Sequence, residues 1–299
     1  MSVINSVALI GATGNLGPAI LKHLLDAGFQ VTVLTREGTN HKFPPTVVVK
    51  HVNYDSIDSL VSAFQGQDAV VSNLGFEGLP KQQRIIDAAI KTNVKRFIPS
   101  EFGSNTSNPK VAGLAVFADK IATQKVLEEE AAKGNITYTN ICNGPFLDWG
   151  IQVGLILQPK EKSVTLYDGG ERPFSTTTLD TIGKAVAAVL KKSDETKNRD
   201  VFIQDAAPTL KQLKAIAEKV TGAAWQAKEV SVENEMLAPA LAELKKENPD
   251  QGKIVYPLII TSIWGEGYGT PFQKLDNELL GLKELTETEL EAVVAAAIK

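Results

Sequence analysis

Apolar residues in the first half of the chain switch repeatedly between two spacings. Residues 6–12 (SVALIGA) are a short apolar run ending in small residues, which reads as a buried strand. Residues 15–28 then place Leu16, Ile20, Leu21, Leu24 and Leu25 on one helical stripe, with Gly28 as a stop. The β-branched run 29–36 and the segment 46–52 predict two further strands. Residues 56–64 form a short helix with Ile57, Leu60, Val61 and Phe64 on one face, capped by Asp55 or Ser56. The alternation continues with a strand over 68–75, a helix over 81–93, a strand and loop over 94–103, a helix over 117–133 and a strand over 135–144. Strands alternating with helices of this length predict an α/β fold, a doubly wound parallel sheet covered on both faces.

The pattern loosens after residue 145. Residues 144–150 and 168–174 read as loops, and 178–192 as a helix capped by Asp180 or Thr181. A strand over 199–205, a helix over 209–222 ending at a glycine, a strand-like run over 225–232 and helices over 233–247 and 286–298 complete the chain. The most apolar stretch of this half, 252–269, reads equally as the lining of a cavity or as a buried core helix. The strand at 199–205 is expected to return to the first sheet. We therefore expect a dinucleotide-binding domain over 1–150, joined by 178–205, and a smaller interleaved substrate-binding lobe from 151–177 and 206–299.

Composition narrows the chemistry. The 299 residues, 43% apolar and 22% charged, suit a globular chain with a large core and exclude wholesale disorder. The net charge of −4 argues against a nucleic-acid binder. A single cysteine, Cys142, excludes an intramolecular disulfide framework, and three scattered histidines show no metal-ligand spacing. Cys142 lies in a strand and is expected to pack as a small apolar residue. The run Glu128-Glu129-Glu130 reads as a solvated helix face. The N-terminus has no signal-peptide pattern and no run of about 18 apolar residues occurs, so neither secretion nor a membrane span is expected. The expected compartment is the cytoplasm.

The loop Gly11-Ala12-Thr13-Gly14-Asn15-Leu16-Gly17 lies between the first strand and the first helix, the context that makes a glycine triplet a dinucleotide site. Gly11 permits the turn out of the strand, Gly14 lets the backbone approach a pyrophosphate, and Gly17 lets helix and sheet pack closely. The second strand ends Leu34-Thr35-Arg36 without the carboxylate that would bind a ribose 2′-hydroxyl. Arg36 can instead meet a 2′-phosphate, with Lys42 as a second charge, so the expected cofactor is NADPH/NADP+. Asp55 reads equally as an adenine contact or a helix cap. Asn73-Leu74-Gly75-Phe76 follows the fourth strand at the edge where ligands of such sheets bind.

The candidate proton carrier is Lys120, on the helix after the fifth strand. Four residues before it stands Val116, so the YxxxK pair of extended short-chain reductases is absent. A lysine there can act as a general acid or base, hold the nicotinamide ribose, or be a surface residue.

These features resemble the NmrA-like and isoflavone-reductase-like branch of the atypical short-chain dehydrogenases, with a fungal-type flavour in the Gly144–Gly150 loop. The resemblance rests on GATGNLG at 11–17, Arg36, the run from Val94 to Gly103, Lys120 with Leu127-Glu128, Ile136–Thr139, Asp168-Gly169-Gly170 and Thr181-Ile182-Gly183. It implies that Gly11, Thr13, Gly14, Asn15, Leu16 and Gly17 hold the pyrophosphate, and Arg36 and Lys42 the 2′-phosphate. It implies that Gly75 and Phe76 border the cofactor, and that Ser100, Glu101 and Phe102 sit near the nicotinamide. Lys120 matches the family lysine, and Asn143, Pro145 and Phe146 border the nicotinamide and the substrate pocket. The paired arginines that often follow the family lysine are Gln124-Lys125 here.

The leading expectation is an NADPH-dependent reductase acting on a small aromatic or polyketide-like molecule, with Lys120 as proton relay. Aromatics of the second half (Phe146, Trp149, Tyr167, Phe174, Trp264, Tyr268 and Phe272) are expected to help shape its pocket. The alternative is a redox-sensing regulator that binds NADP(H) without catalysis. No direct nucleic-acid or membrane partner is expected, and the chain is expected to be a monomer or homodimer.

Overall fold

The computed structural model describes residues 3–299. Its strands are β1 (Ser6–Ile10), β2 (Gln30–Arg36), β3 (Val48–Val52), β4 (Ala69–Ser72), β5 (Arg96–Ile98), β6 (Thr137–Cys142), β7 (Ser163–Tyr167), β8 (Arg199–Phe202) and β9 (Gln226–Val230). The helices of the first half are α1 (Gly17–Asp26), α2 (Ile57–Phe64), α3 (Gln82–Lys91), α4 (Pro109–Ala112) and α5 (Ala118–Ala132). Those of the second half are α6 (Leu147–Gln152), α7 (Leu179–Lys191), α8 (Leu210–Thr221), α9 (Ala238–Glu243), α10 (Gly252–Trp264), α11 (Asn277–Leu280) and α12 (Glu287–Ile298).

Seven strands form one sheet in the order β3-β2-β1-β4-β5-β6-β8, every pair parallel. The order reverses between β1 and β4, and that reversal opens a crevice at the carboxyl ends of the strands. Side chains alternate across the sheet as the strand period requires. Val7 and Leu9 of β1 join a core with Ile20 and Leu24 of α1 and Val186 of α7. Ala8 and Ile10 join the opposite core with Leu60 and Phe64 of α2, Ile85 of α3 and Leu127 of α5. Helices α1 and α7 approach closely because Gly183 has no side chain: a Cβ there would lie 2.6 Å from the Ala19 oxygen.

The remaining residues build a second core in which β7 and β9 pair in parallel beneath α6, α8, α10 and α12. A further apolar cluster ties the approach to α5, through Val111, Val116 and Phe117, to Leu237, Ile254 and Leu258.

Several local expectations are corrected. The stretch 144–150, read as a loop for its glycines and proline, turns into α6 at Leu147, because Leu147 and Ile151 bury one face. Residues 168–174 begin with a 3-10 turn at Asp168–Gly170. Helix α7 is capped by Thr178, whose hydroxyl accepts from the Thr181 N–H, while Asp180 pairs instead with Lys184 and His23. The helix expected over 233–247 opens as a π-helical turn at Val232–Leu237 and closes with α9. Strand β7 has no counterpart in the sequence reading. It is short, and its partner β9 is more than sixty residues away, with Ser163 opposite Gln226. Stretch 252–269 is a core helix up to Trp264, which stacks on Tyr167 with ring centroids 4.9 Å apart.

The amino edge of the sheet is held by Asp68. Its Oδ2 accepts from the N–H groups of Asn5 (2.9 Å) and Ser6 (3.0 Å) and from Ser6 Oγ (3.0 Å), and its Oδ1 from Lys95 Nζ (2.6 Å). Burial works against its charge, but the bonds from Lys95, Ser6 and Asn5 prevail and hold the carboxyl well below the usual carboxylate range. A depressed native value stabilises the fold above the unfolded pKa of about 4, and that stabilisation fades as pH falls further. Asp68→Asn is therefore expected to lose about 1–3 kcal/mol at pH 7 and about 1 kcal/mol less than that at pH 3, the remainder disappearing only at still lower pH, read from urea midpoints at both. Equal losses at the two pH values would refute the assignment.

Candidate functional site

The crevice at the sheet reversal is floored by the loop that leaves β1. Gly11 has φ +77° and lies so close to the next strand that a Cβ would sit 1.9 Å from the Asn73 oxygen. The Asn73 amide closes this contact by donating to the Gly11 carbonyl at 3.1 Å. A Cβ on Gly17 would lie 2.2 Å from the Gly11 oxygen, so the helix start is seated against the strand end. Gly14 differs, for its Cβ would meet nothing nearer than 3.5 Å. Its smoothness leaves the loop open on the ligand side. No side chain caps the first turn of α1. The Gly17 N–H is taken by the Gly14 carbonyl and Pro18 has none, so the N–H groups of Asn15 and Leu16, without a partner among the described residues, and the positive end of the helix dipole are what the loop offers an anion.

Two cavities meet over this loop. The outer one, about 560 Å³, is lined by Gly11, Thr13, Thr35, Arg36, Thr39, His41, Tyr54 and Lys81. The inner one, about 430 Å³, is lined by Gly14, Asn15, Leu16, Ser100, Glu101, Phe102, Lys120 and Phe146, with Val116, Phe117 and Ile259. Leu74, Gly75 and Phe76 line both, so the two form one groove along the strand ends.

Arg36 ends β2 with its side chain exposed and in no ion pair among the described residues. Lys42 is exposed on the following loop and lines neither cavity. Lys81 supplies a cation at the outer end instead, bound to Asp55 at 2.9 Å. Asp55 pairs with Lys81 and Arg84 and lines neither cavity, and Ser56 is the cap of α2. Tyr54 faces the outer cavity with its hydroxyl donating to the Leu34 carbonyl, and burial raises its pKa.

The inner end is built by the loop after β5. Ser100 is buried, donates to the Ser72 carbonyl (2.9 Å) and accepts from the Leu74 N–H (2.8 Å), which fixes the shared wall of the groove. Glu101 is buried, and its Oε2 accepts from the Thr106 hydroxyl at 3.0 Å. Burial pushes its carboxyl up, with the charge of Lys120 pulling the other way. Phe102 follows in the left-handed region at φ +29°. Lys120 reaches across from α5 and donates from Nζ to the Glu101 carbonyl, with the Phe117 ring 5.8 Å away. Val116, standing where a tyrosine would complete YxxxK, shares the wall with it.

Asn143 and Pro145 line neither cavity. Asn143 is buried at the end of β6, donating from its backbone to Gly103 at 3.0 Å, and the Pro145 carbonyl accepts from Thr176 at 2.8 Å. Of the second-half aromatics expected at the pocket, only Phe146 lines the groove among the described residues. In the second core Tyr167 stacks on Trp264 and Phe174 meets the same indole edge-on, Phe272 packs on Phe202, and Tyr268 lies against Lys110. Aromatic character comes instead from Phe76, Phe102 and Phe117. Sequence reasoning missed Tyr54, Lys81 and Ile259 because they belong to no local motif and reach the groove only through the fold. The buried Cys142 thiol is pushed up by burial, as suits a packing residue. Among the described residues no group of His, Cys, Asp and Glu is placed to hold a metal, and no helix is long and apolar enough to cross a membrane.

Known proteins align with this architecture along its length. The NmrA-like family model matches residues 4–246. An oxidoreductase of Aspergillus flavus, aprR, is 31% identical over 98% of both chains. A phenylcoumaran benzylic ether reductase of Populus trichocarpa is 33% identical over 69% of this chain and 71% of its own. Among solved structures, AtPrR2 with NADP+ and (+)pinoresinol superposes with a TM-score of 0.78 at 22% identity over 99% of both chains, which bears on the fold alone. With the family model spanning most of its length and a relative matching it end to end, the chain belongs to the NmrA-like family.

Proposed function

We propose that the chain is an NADPH-dependent reductase that passes a hydride to a small aromatic or polyketide-like molecule, with Lys120 as the proton relay. The observation that carries this is the continuous groove with Arg36, in no ion pair among the described residues, at its outer end and Lys120 at its inner end. Oxidoreductases among the full-length relatives support the reaction class.

The residues fit a phosphorylated dinucleotide. The open face at Gly14 and the uncapped start of α1 would hold the pyrophosphate, and Arg36 the 2′-phosphate, with Lys81 rather than Lys42 as the second cation in the cavity wall. When bound, the cofactor supplies the hydride. Glu101 and Phe117 keep Lys120 at the inner cavity, and Phe76, Phe102, Phe146 and Ile259 exclude water there and favour a flat apolar substrate. Residues 1–150 with 178–205 would form the cofactor-holding part, and 151–177 with 206–299 the substrate lobe. Membership of β8 in the main sheet and of Ile259 in the inner wall supports that division.

Fluorescence titration tests the cofactor. NADPH is expected to bind the protein more tightly than NADH, and Arg36→Ala to weaken NADPH about 10–100-fold, the worth of a charge-assisted phosphate contact. NADH affinity should barely change. A wild-type preference for NADH would overturn the assignment.

A further inference from the structure

A separate cavity of about 470 Å³ opens where β8 ends at Phe202. It shares no lining residue with the groove. The chain after β5 serves both: Glu101 and Phe102 line the inner cavity, and Asn105 lines this one. Its volume lies in the ordinary range for small-molecule sites.

The polar groups it presents are donors. Asn105 Oδ1 accepts from the Ser107 N–H (3.1 Å) and hydroxyl (2.6 Å), which settles which end of the amide is the oxygen and leaves Nδ2 without an acceptor among the described residues. Asn108 Oδ1 accepts from the Lys110 N–H (2.9 Å), and its Nδ2 gives one proton to the Gly267 carbonyl (3.1 Å) and keeps the second. Both Nδ2 atoms converge on Gly269, where a Cβ would stand 3.0 Å from that of Asn108 and 3.3 Å from that of Asn105. Lys274 adds an exposed ammonium in no ion pair among the described residues. The other polar side chains of the wall are turned to the backbone, the Thr270 hydroxyl donating to the Ile263 carbonyl and the Gln273 amide to the Pro271 carbonyl. No carboxylate lines the cavity among the described residues. Asp276, two positions beyond Lys274, is engaged by Arg199 (2.9 Å) and by the Phe202 N–H (3.0 Å).

The apolar walls are Phe202 and Phe272, with ring centroids 5.2 Å apart and planes at 64°. Rings at that angle form a corner in which a third flat ring stacks on one and meets the edge of the other. An inorganic anion alone would leave the corner empty, and an uncharged ring alone would leave the amides and the ammonium without an acceptor.

We propose that this cavity is a binding site, distinct from the cofactor groove, for a small aromatic carboxylate. Lys274 and the amides of Asn105 and Asn108 hold the carboxylate through charge-assisted hydrogen bonds, and Phe202 and Phe272 hold the ring. The site stands independently of the reductase reading.

Isothermal titration calorimetry of the intact protein with cinnamate as the probe tests it. Cinnamate is expected to bind about tenfold or more tightly than cinnamyl alcohol, which keeps the ring without the charge, and than acetate, which keeps the charge without the ring. Lys274→Met is expected to weaken cinnamate about tenfold or more, the worth of a hydrogen bond to a charged group. Asn105→Asp keeps the acceptor that serves Ser107 and puts an anionic oxygen in place of the free donor, so it should weaken cinnamate at least as much. Added NADPH should leave the affinity within a few-fold, and intermolecular NOEs should join the cinnamate ring to Phe272. Absence of saturable cinnamate binding overturns the proposal, as does displacement by NADPH. An affinity unmoved in folded Lys274→Met or folded Asn105→Asp overturns it as well, so either variant decides should the other fail to fold.

Discussion

Lys120→Ala is expected to lower NADPH-dependent reduction about 100- to 10,000-fold, the usual worth of a positioned acid or base. NADPH affinity should stay within a few-fold of wild type. The asymmetry follows from where the lysine sits. Its Nζ borders the inner cavity, while the glycine loop and Arg36 that would hold the phosphates lie along the rest of the groove. Among the described residues no tyrosine lines the inner cavity to take over, and Val116 fills the place one turn earlier. NADPH oxidation against a panel of aromatic ketones and enones, with cofactor binding measured in parallel, gives both numbers. Unchanged turnover in the variant would remove Lys120 from the mechanism. Tight NADPH binding by the wild type with no turnover on any compound would favour a redox-sensing regulator.

Gly11→Ala is expected to destabilise the fold by about 3 kcal/mol or more and to abolish NADPH binding. Two independent costs combine. At φ +77° an alanine occupies a backbone region that L residues avoid. Its Cβ would also stand 1.9 Å from the Asn73 carbonyl oxygen, a backbone atom that cannot swing aside. Relief requires β1 and β4 to separate at the very crevice where the groove opens. Urea unfolding and a fluorescence titration at saturating NADPH measure the two effects. A variant of wild-type stability that still binds NADPH would contradict this account of the loop.

The sheet was legible in the sequence because its signals are local. Val7 to Ile10 and Ala69 to Val71 are buried on both faces and read as unbroken apolar runs, and Val31 to Leu34 is interrupted only by the β-branched Thr32. The glycine loop was legible for the same reason, since Gly11 and Gly17 each answer a contact within the same strand–turn–helix unit or its immediate neighbour. The second half obeys longer-range rules. Thr178 caps α7 because its backbone is extended there, which residue type alone cannot distinguish from Asp180 or Thr181. Strand β7 exists because a partner some sixty residues later lies alongside it. In the groove, Lys81 and Ile259 come from segments whose own patterns carry no mark of a ligand. The aromatic residues of the second half misled for a simple reason: abundance of Trp and Tyr signals burial as readily as a pocket, and Tyr167, Phe174 and Trp264 pack on one another.

The path of the chain through the large sheet has a practical meaning for anyone wishing to divide it. The polypeptide leaves after β6, builds α6 and β7, and comes back to add α7 and β8 before leaving again. A fragment ending near residue 150 would therefore lack the helix that covers Ile20 and Leu24 and the strand that pairs with β6. It would present an oily helix flank and an open row of backbone donors and acceptors to its neighbours in solution, the ingredients of edge-to-edge aggregation. The large sheet and the second core are interlaced by covalent connectivity, and the sheet is finished only after the second core has been started.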